Sequence, residues 1–110
     1  MNPTSYALKA PIAAIDIGSN SFRLEVAQIK GDSYRKLDYL KVPVRLGAGL
    51  NEQGFLSAQA FDVGLETLKQ FAMILGRYEL AGVRAVATQT LREAKNRDDF
   101  LAQAENVLGY

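Results

Sequence analysis

The sequence predicts an α/β domain with the element order β-β-β-α-β-α and a mixed sheet. Three observations carry this. An apolar run from Ile12 closes on Asp16-Ile17-Gly18, and a short apolar run ended by glycine suits a buried strand. From Phe22 to Ile29 the pattern alternates, with Phe22, Leu24 and Val26 on one face and Arg23, Glu25 and Ala27 on the other, the period of two of a strand with one covered face. Phe61, Leu65, Leu68, Ala72 and Leu75 then recur at the spacing of one helix face.

Residues 1–11, punctuated by Pro3 and Pro11, read as a loose leader, and 12–110 as one domain. Gly18-Ser19-Asn20-Ser21 is rich in turn formers and joins the first two strands as an antiparallel hairpin. After a second turn at Lys30–Ser33, Tyr34 to Leu46 forms a third strand with Leu37, Tyr39, Val42 and Val44 as its packing residues. Pro43 cannot donate to a ladder, so this strand lies at an edge or ends there. Gly47 to Gly54 is a loop. Ser57 is placed to cap a helix running to about Tyr78, with Leu56 and Phe61 as a hydrophobic staple. Gly64 and Gly76 weaken that helix, at about 1 kcal/mol each in an interior position. Val83 to Ala87 is a buried strand, Leu91 to Lys95 a helical turn, and Asn96 the cap of a last helix that buries Phe100, Leu101, Ala104 and Leu108. Three strands followed by a helical crossover to a fourth begin a ribonuclease-H-like or actin-like domain. Ferredoxin-like and other α+β sandwiches share parts of the same order.

Composition removes several kinds of chemistry. The 110 residues contain no cysteine and no histidine, which excludes disulfides, thiolate catalysis, a Ser-His-Asp triad and His- or Cys-ligated metals within the chain. Any reaction must rest on carboxylates, hydroxyls, Arg, Lys, backbone amides and a hard cation. The net charge of +1 and the short Arg35-Lys36 run lack the basic stripe of a nucleic-acid binder. No apolar run reaches the ~20 residues of a membrane-spanning helix, and the N-terminus lacks the apolar core of a signal peptide. A cytoplasmic location is expected.

Four places could hold chemistry, each with a plainer structural explanation. Asp16 ends a strand, where it could hold a divalent cation or its waters. The Gly18–Ser21 turn that follows has little side-chain bulk and could surround a phosphate with its N–H groups and hydroxyls; taken alone it reads more simply as a tight hairpin turn in which Asp16 and Asn20 bond their own backbone. Thr88-Gln89-Thr90-Leu91-Arg92 joins a strand to a hydroxyl-rich helix start, a place where anions bind. Arg92 could fork onto a phosphoryl group, or the segment is simply a capped helix. Arg45-Leu46-Gly47-Ala48-Gly49-Leu50 is neither a Walker loop nor a GxGxxG loop, and reads most simply as a flexible connection. Arg23 could reach an anion at the turn, or is an exposed strand arginine.

Three segments in this order, Ala14–Leu24, Arg45–Leu50 and Ala85–Ala94, resemble the Ppx/GppA phosphatases, the exopolyphosphatases and guanosine pentaphosphate phosphohydrolases. The resemblance extends over nearly all of 12–110. It implies an actin-like ATPase fold, of which this sequence is the N-terminal part of the first domain. It further implies a Mg²⁺-dependent hydrolase of terminal phosphates of inorganic polyphosphate or of the 5′ γ-phosphate of guanosine pentaphosphate, with a dimeric parent protein. Gly18, Ser19, Asn20 and Ser21 match the first phosphate-binding loop, Asp16 the strand-end acidic position, and Thr88 and Arg92 phosphate contacts across the cleft. Arg23 matches a variable position bearing on guanosine tetraphosphate against polyphosphate. The resemblance puts the catalytic Glu beyond residue 110, so the chain alone is expected to be inactive. Ala48 stands where the family often has Glu, and Gln89-Thr90 where it often has Ser-Ala. A kinase of the same superfamily and a non-catalytic alarmone-binding module are the alternatives.

Overall fold

The computed structural model describes residues 10–87 and 89–109. Strand β1 (Ile12–Ile17) pairs antiparallel with β2 (Ser21–Lys30), which pairs antiparallel with β3 (Ser33–Pro43); β4 (Gly82–Ala87) lies parallel to β1. The order is β3-β2-β1-β4, a mixed four-stranded sheet. A short 3₁₀ turn (Leu46–Gly49) leads to helix α1 (Ala58–Leu75); α2 (Gln89–Glu93) and α3 (Arg97–Leu108) follow β4. Connecting the parallel strands β1 and β4 requires a crossover, and α1 supplies it.

The helices cover one face of the sheet. Ile15, Ile17, Phe22, Leu24 and Val26 point into a core completed by Leu68, Phe71 and Leu75 of α1, Leu91 of α2 and Phe100 of α3. The opposite face is open, and this corrects two expectations. β1 is not buried throughout but alternates, with Ala13, Ile15 and Ile17 inward and Ile12, Ala14 and Asp16 exposed. β4 is an edge strand with no buried residue, and Val86 is 54% exposed. A mostly apolar segment states its composition, not which faces are covered, and Asp16 in β1 and Arg84 in β4 lie on the open one.

In β3 the packing residues are Leu37, Leu40 and Val42, while Tyr39 is exposed. A register shift between Val26 and Ala27 pairs them with Asp38 and Lys36 and leaves Leu37 as the extra residue, so a simple alternation fails across the bulge. The strand ends at Pro43 rather than Leu46 and forms a sheet edge.

Ser57 caps α1 by accepting the Ala60 N–H at 3.1 Å. The buried stripe of α1 runs through Ala60, Gly64, Leu68, Phe71 and Leu75, displaced from the expected one because α3 also packs there. A Cβ on Gly64 would meet the Phe100 ring at 3.0 Å, so this glycine permits close helix approach. Phe100 also meets Phe61 edge-on, with ring centroids 5.3 Å apart. The helix stops at Leu75, and Gly76 is its C-terminal cap, not an interior residue. Beyond it Tyr78 donates its hydroxyl to Asp38 at 3.1 Å and Arg77 pairs with the same carboxylate at 3.5 Å, tying the α1–β4 connection to β3. Burial, and then the bond to the Asp38 carboxylate and its charge, raise the Tyr78 hydroxyl above the ordinary tyrosine value, partly offset by Arg77.

Asn96 sits at the N-cap position of α3, but its side chain makes no cap bond there. Its Oδ1 accepts the Leu56 N–H at 2.9 Å and its Nδ2 donates to the Leu56 carbonyl at 3.2 Å. The residue staples two segments far apart in sequence.

Candidate functional site

β1 and β4 are parallel, with Ile17 opposite Ala87. The turn after β1 and the segment after β4 therefore emerge at the same end of the sheet. The carboxyl ends of adjacent parallel strands are where open α/β sheets hold ligands.

The turn is held from within and from behind. Gly18 donates its N–H to the Ser21 carbonyl at 3.0 Å. A Cβ on Gly18 would sit 2.5 Å from that oxygen, so no other residue fits without moving the turn. The Gly18 amide is thus used internally, and what Gly18 supplies to the surface is the absence of a side chain. The Asn20 carbonyl accepts the N–H groups of Val44 and Arg45, each at 2.9 Å, and the Ser19 carbonyl accepts the Gly47 N–H at 3.0 Å.

The Arg45–Leu50 segment is therefore not a flexible connection. It is a brace whose amides occupy the outward carbonyls of the turn. Arg45 takes the left-handed conformation, φ 58°, which a non-glycine residue adopts only under constraint. Leu46 is buried, and a Cβ on Gly49 would overlap that of Ala60. The brace is pinned to both the core and α1.

In front of the turn is a depression of about 330 Å³ lined by Asp16, Gly18, Ser19, Asn20, Ser21, Arg23 and Lys41. It gathers the residues of the first motif with Arg23 and adds Lys41. Lys41 belongs to no motif. Its signal in the sequence is the strand alternation of β3, and only the register that sets it opposite Arg23 reveals its position. Asp16 is the β1 residue opposite Arg23 on the other side. Asp16 and Arg23 also line an adjoining depression of about 310 Å³ across the open sheet face, with Glu25, Tyr39, Arg84 and Val86. Glu25 is already paired with Lys36 at 3.4 Å.

Arg92 is exposed on α2 and does not line the depression. Leu91 and Ala94, both buried, turn α2 so that Arg92 faces outward. The Arg97 guanidinium donates to the Arg92 carbonyl, fastening α2 to the start of α3. Thr88 lies outside the described residues.

Among the described residues no group of three or more carboxylates could enclose a metal ion, and no helix is long and apolar enough to cross a membrane.

Known proteins share both the fold and the sequence. A model of the Ppx/GppA phosphatase family matches residues 25–110. A candidate exopolyphosphatase of Haemophilus influenzae is 44% identical over 99 residues, covering 90% of this chain and 31% of that protein. The solved structure of the Aquifex aeolicus PPX-GPPA enzyme superposes with a TM-score of 0.84 at 33% identity, covering 92% of this chain and 34% of that one. An exopolyphosphatase from Cytophaga hutchinsonii superposes with a TM-score of 0.82 at 32% identity, over 89% and 31%. The chain thus spans about a third of the length of these relatives, and its mixed sheet is the ribonuclease-H-like sheet of the actin-like ATPase fold. The family model covers most of the chain and a solved member superposes on it, so the chain belongs to the Ppx/GppA phosphatase family.

Proposed function

We propose that this chain forms one wall of a catalytic cleft in a hydrolase that removes terminal phosphates from inorganic polyphosphate. The 5′ γ-phosphate of guanosine pentaphosphate is a second substrate of the same chemistry. The observation that carries the reading is the braced Gly18–Ser21 turn with Arg23 in one depression at the carboxyl ends of β1 and β4. Membership of a phosphatase family and the exopolyphosphatase names of two relatives support it.

In this reading Ser19, Asn20 and Ser21 hold phosphoryl oxygens with hydroxyl, amide and backbone donors. The carbonyls that would repel an anion are occupied by the brace. Arg23 adds a planar fork with fixed donors. Arg92, from the segment after β4, stabilises charge that develops as water attacks the phosphorus, and Thr88 is a further phosphate contact. The base that takes the proton from that water lies outside these 110 residues, and the chain alone is inactive.

Mg²⁺ fits the donor set. It is held by one or two protein carboxylates, with water and phosphate oxygens completing the octahedron, and Asp16 offers one exposed carboxylate beside the turn. The ion would neutralise phosphate charge in the cleft.

The test is phosphate release by the full-length protein with Mg²⁺, offered long-chain polyphosphate and guanosine pentaphosphate in parallel. Release from either is expected. Silence on both from a folded protein would turn the assignment to a binding module.

A further inference from the structure

We propose that Lys41 is a specificity-determining residue of the Gly18–Ser21 site: with Arg23 it binds the second phosphoryl group of a linear phosphate chain, so that the site prefers a chain to a single phosphate. The proposal rests on the phosphate-binding reading above and names what that site selects.

The register sets Lys41 directly opposite Arg23 on neighbouring antiparallel strands. Both are exposed on the open face, and both line the depression in front of the turn. Side chains directly opposite in such a pair leave the sheet about 4.5–5.5 Å apart, and like charges so placed repel. Among the described residues neither Arg23 nor Lys41 makes an ion pair. The next pair along the same face is arranged differently: Glu25 stands opposite Tyr39, and Lys36 bridges to both, 3.4 Å from the Glu25 carboxylate and 4.8 Å from the Tyr39 ring centroid. The sheet is electrostatically complementary there and repulsive at Arg23–Lys41. Asp16, opposite Arg23 on β1, makes no ion pair with it to offset this, and natural proteins break such local rules at functional sites.

The ligand must be anionic, and its geometry follows from the layout. A single phosphoryl group seated on the turn meets Arg23, the strand residue that follows it closely. Lys41 comes from the edge strand β3, one strand further from β1, and faces the part of the ligand that extends away from the turn. A linear phosphate chain carries charge there; orthophosphate does not. Asp16 stands on the opposite side of Arg23, so the cationic side chains that a phosphate chain can meet beyond the turn lie on the β3 side. The chain is thereby directed across β2 toward β3.

The experiment is a backbone-amide NMR titration of this chain with orthophosphate and with inorganic tripolyphosphate, at matched ionic strength. Lys41→Gln, Lys41→Arg and thermal melts accompany it. The wild type should shift the Gly18–Ser21 amides with both ligands and bind tripolyphosphate more tightly. Lys41→Gln should weaken tripolyphosphate roughly tenfold, the effect of losing one charged contact, with orthophosphate changed less than twofold. Lys41→Arg should restore chain binding. The melting temperature of Lys41→Gln should be equal to or above wild type, because repulsion is relieved; a merely structural lysine would lower it. If Lys41→Gln weakens both ligands equally, or neither, Lys41 is not a chain-selecting residue although the phosphate site stands. If the wild-type turn responds to neither ligand, the phosphate site and this proposal both fall.

Discussion

The Asn20 carbonyl accepts the N–H of Arg45 at 2.9 Å, and it accepts the N–H of Val44 at the same distance. Two segments separated by the whole of β2 and β3 are thereby one unit: the Gly18–Ser21 turn and the glycine-containing brace behind it. The brace gives its own glycines unequal importance. Gly47 and Gly49 both have φ outside the left-handed region, yet a Cβ on Gly47 would make ordinary contacts at 3.7 Å while one on Gly49 would overlap Ala60. Gly47→Ala should be neutral or slightly stabilising, by up to about 1 kcal/mol through the unfolded chain. Gly49→Ala should destabilise by about 1–3 kcal/mol through overpacking. Urea melts of the two variants check both; equal effects would show that the brace is not pinned against α1.

Asn96 offers a second test. Its side chain pairs with both backbone groups of Leu56 and, at the N-cap position, leaves α3 without a side-chain cap. Asn96→Ala should lower stability by about 1–3 kcal/mol, since two partly buried backbone groups lose their partners. Asn96→Asp keeps the acceptor and loses the donor, so it should fall between wild type and Ala. A helix cap would instead leave Asp equal to Asn, with only Ala destabilised. Chemical denaturation of the three proteins distinguishes these.

The Tyr78–Asp38 bond makes stability depend on alkaline pH. The folded state raises the Tyr78 hydroxyl above the unfolded value near 10, so it holds that proton more tightly than the unfolded chain does. The stabilisation is complete below the unfolded value and is lost as pH rises through the folded one. Tyr78→Phe should be less stable than wild type at neutral pH, and the difference should shrink as pH rises from the unfolded value through the folded one. Melting curves between neutral and strongly alkaline pH check this; a constant difference would remove the ionisation from the account.

Arg92 is exposed and anchored through its backbone to Arg97, so its removal should leave the fold intact. In the full-length protein Arg92→Ala should lower turnover at least about 10²-fold, the loss expected for a charge-stabilising donor (~3 kcal/mol). Steady-state phosphate release with polyphosphate measures it. An unchanged rate would exclude Arg92 from the mechanism.

Part of this was legible from residue order alone. The alternation from Phe22 to Val26 placed β2 and its inward face, Ser57 capped α1 as expected, and Pro43 ended an edge strand. The Gly18–Ser21 turn and the outward position of Arg23 were legible because turn formers after a strand make a hairpin and strand alternation sets the face. Such features are local: propensity, capping and period are set by neighbours in sequence.

What tertiary structure decided is everything that depends on register and on which faces meet. Lys41 enters the site only because β3 pairs with β2 in one particular register, and the bulge at Leu37 removes any simple count that would have shown it. The Arg45–Leu50 segment became a brace only when its amides met the Ser19 and Asn20 carbonyls, and Asn96 left its expected cap for Leu56. The sequence by itself determined the element types, the order of the strands along the chain and the polarity of the turn. The sheet order, the open face and the second cation of the site came from contacts between segments distant in sequence, whose energies no local pattern encodes.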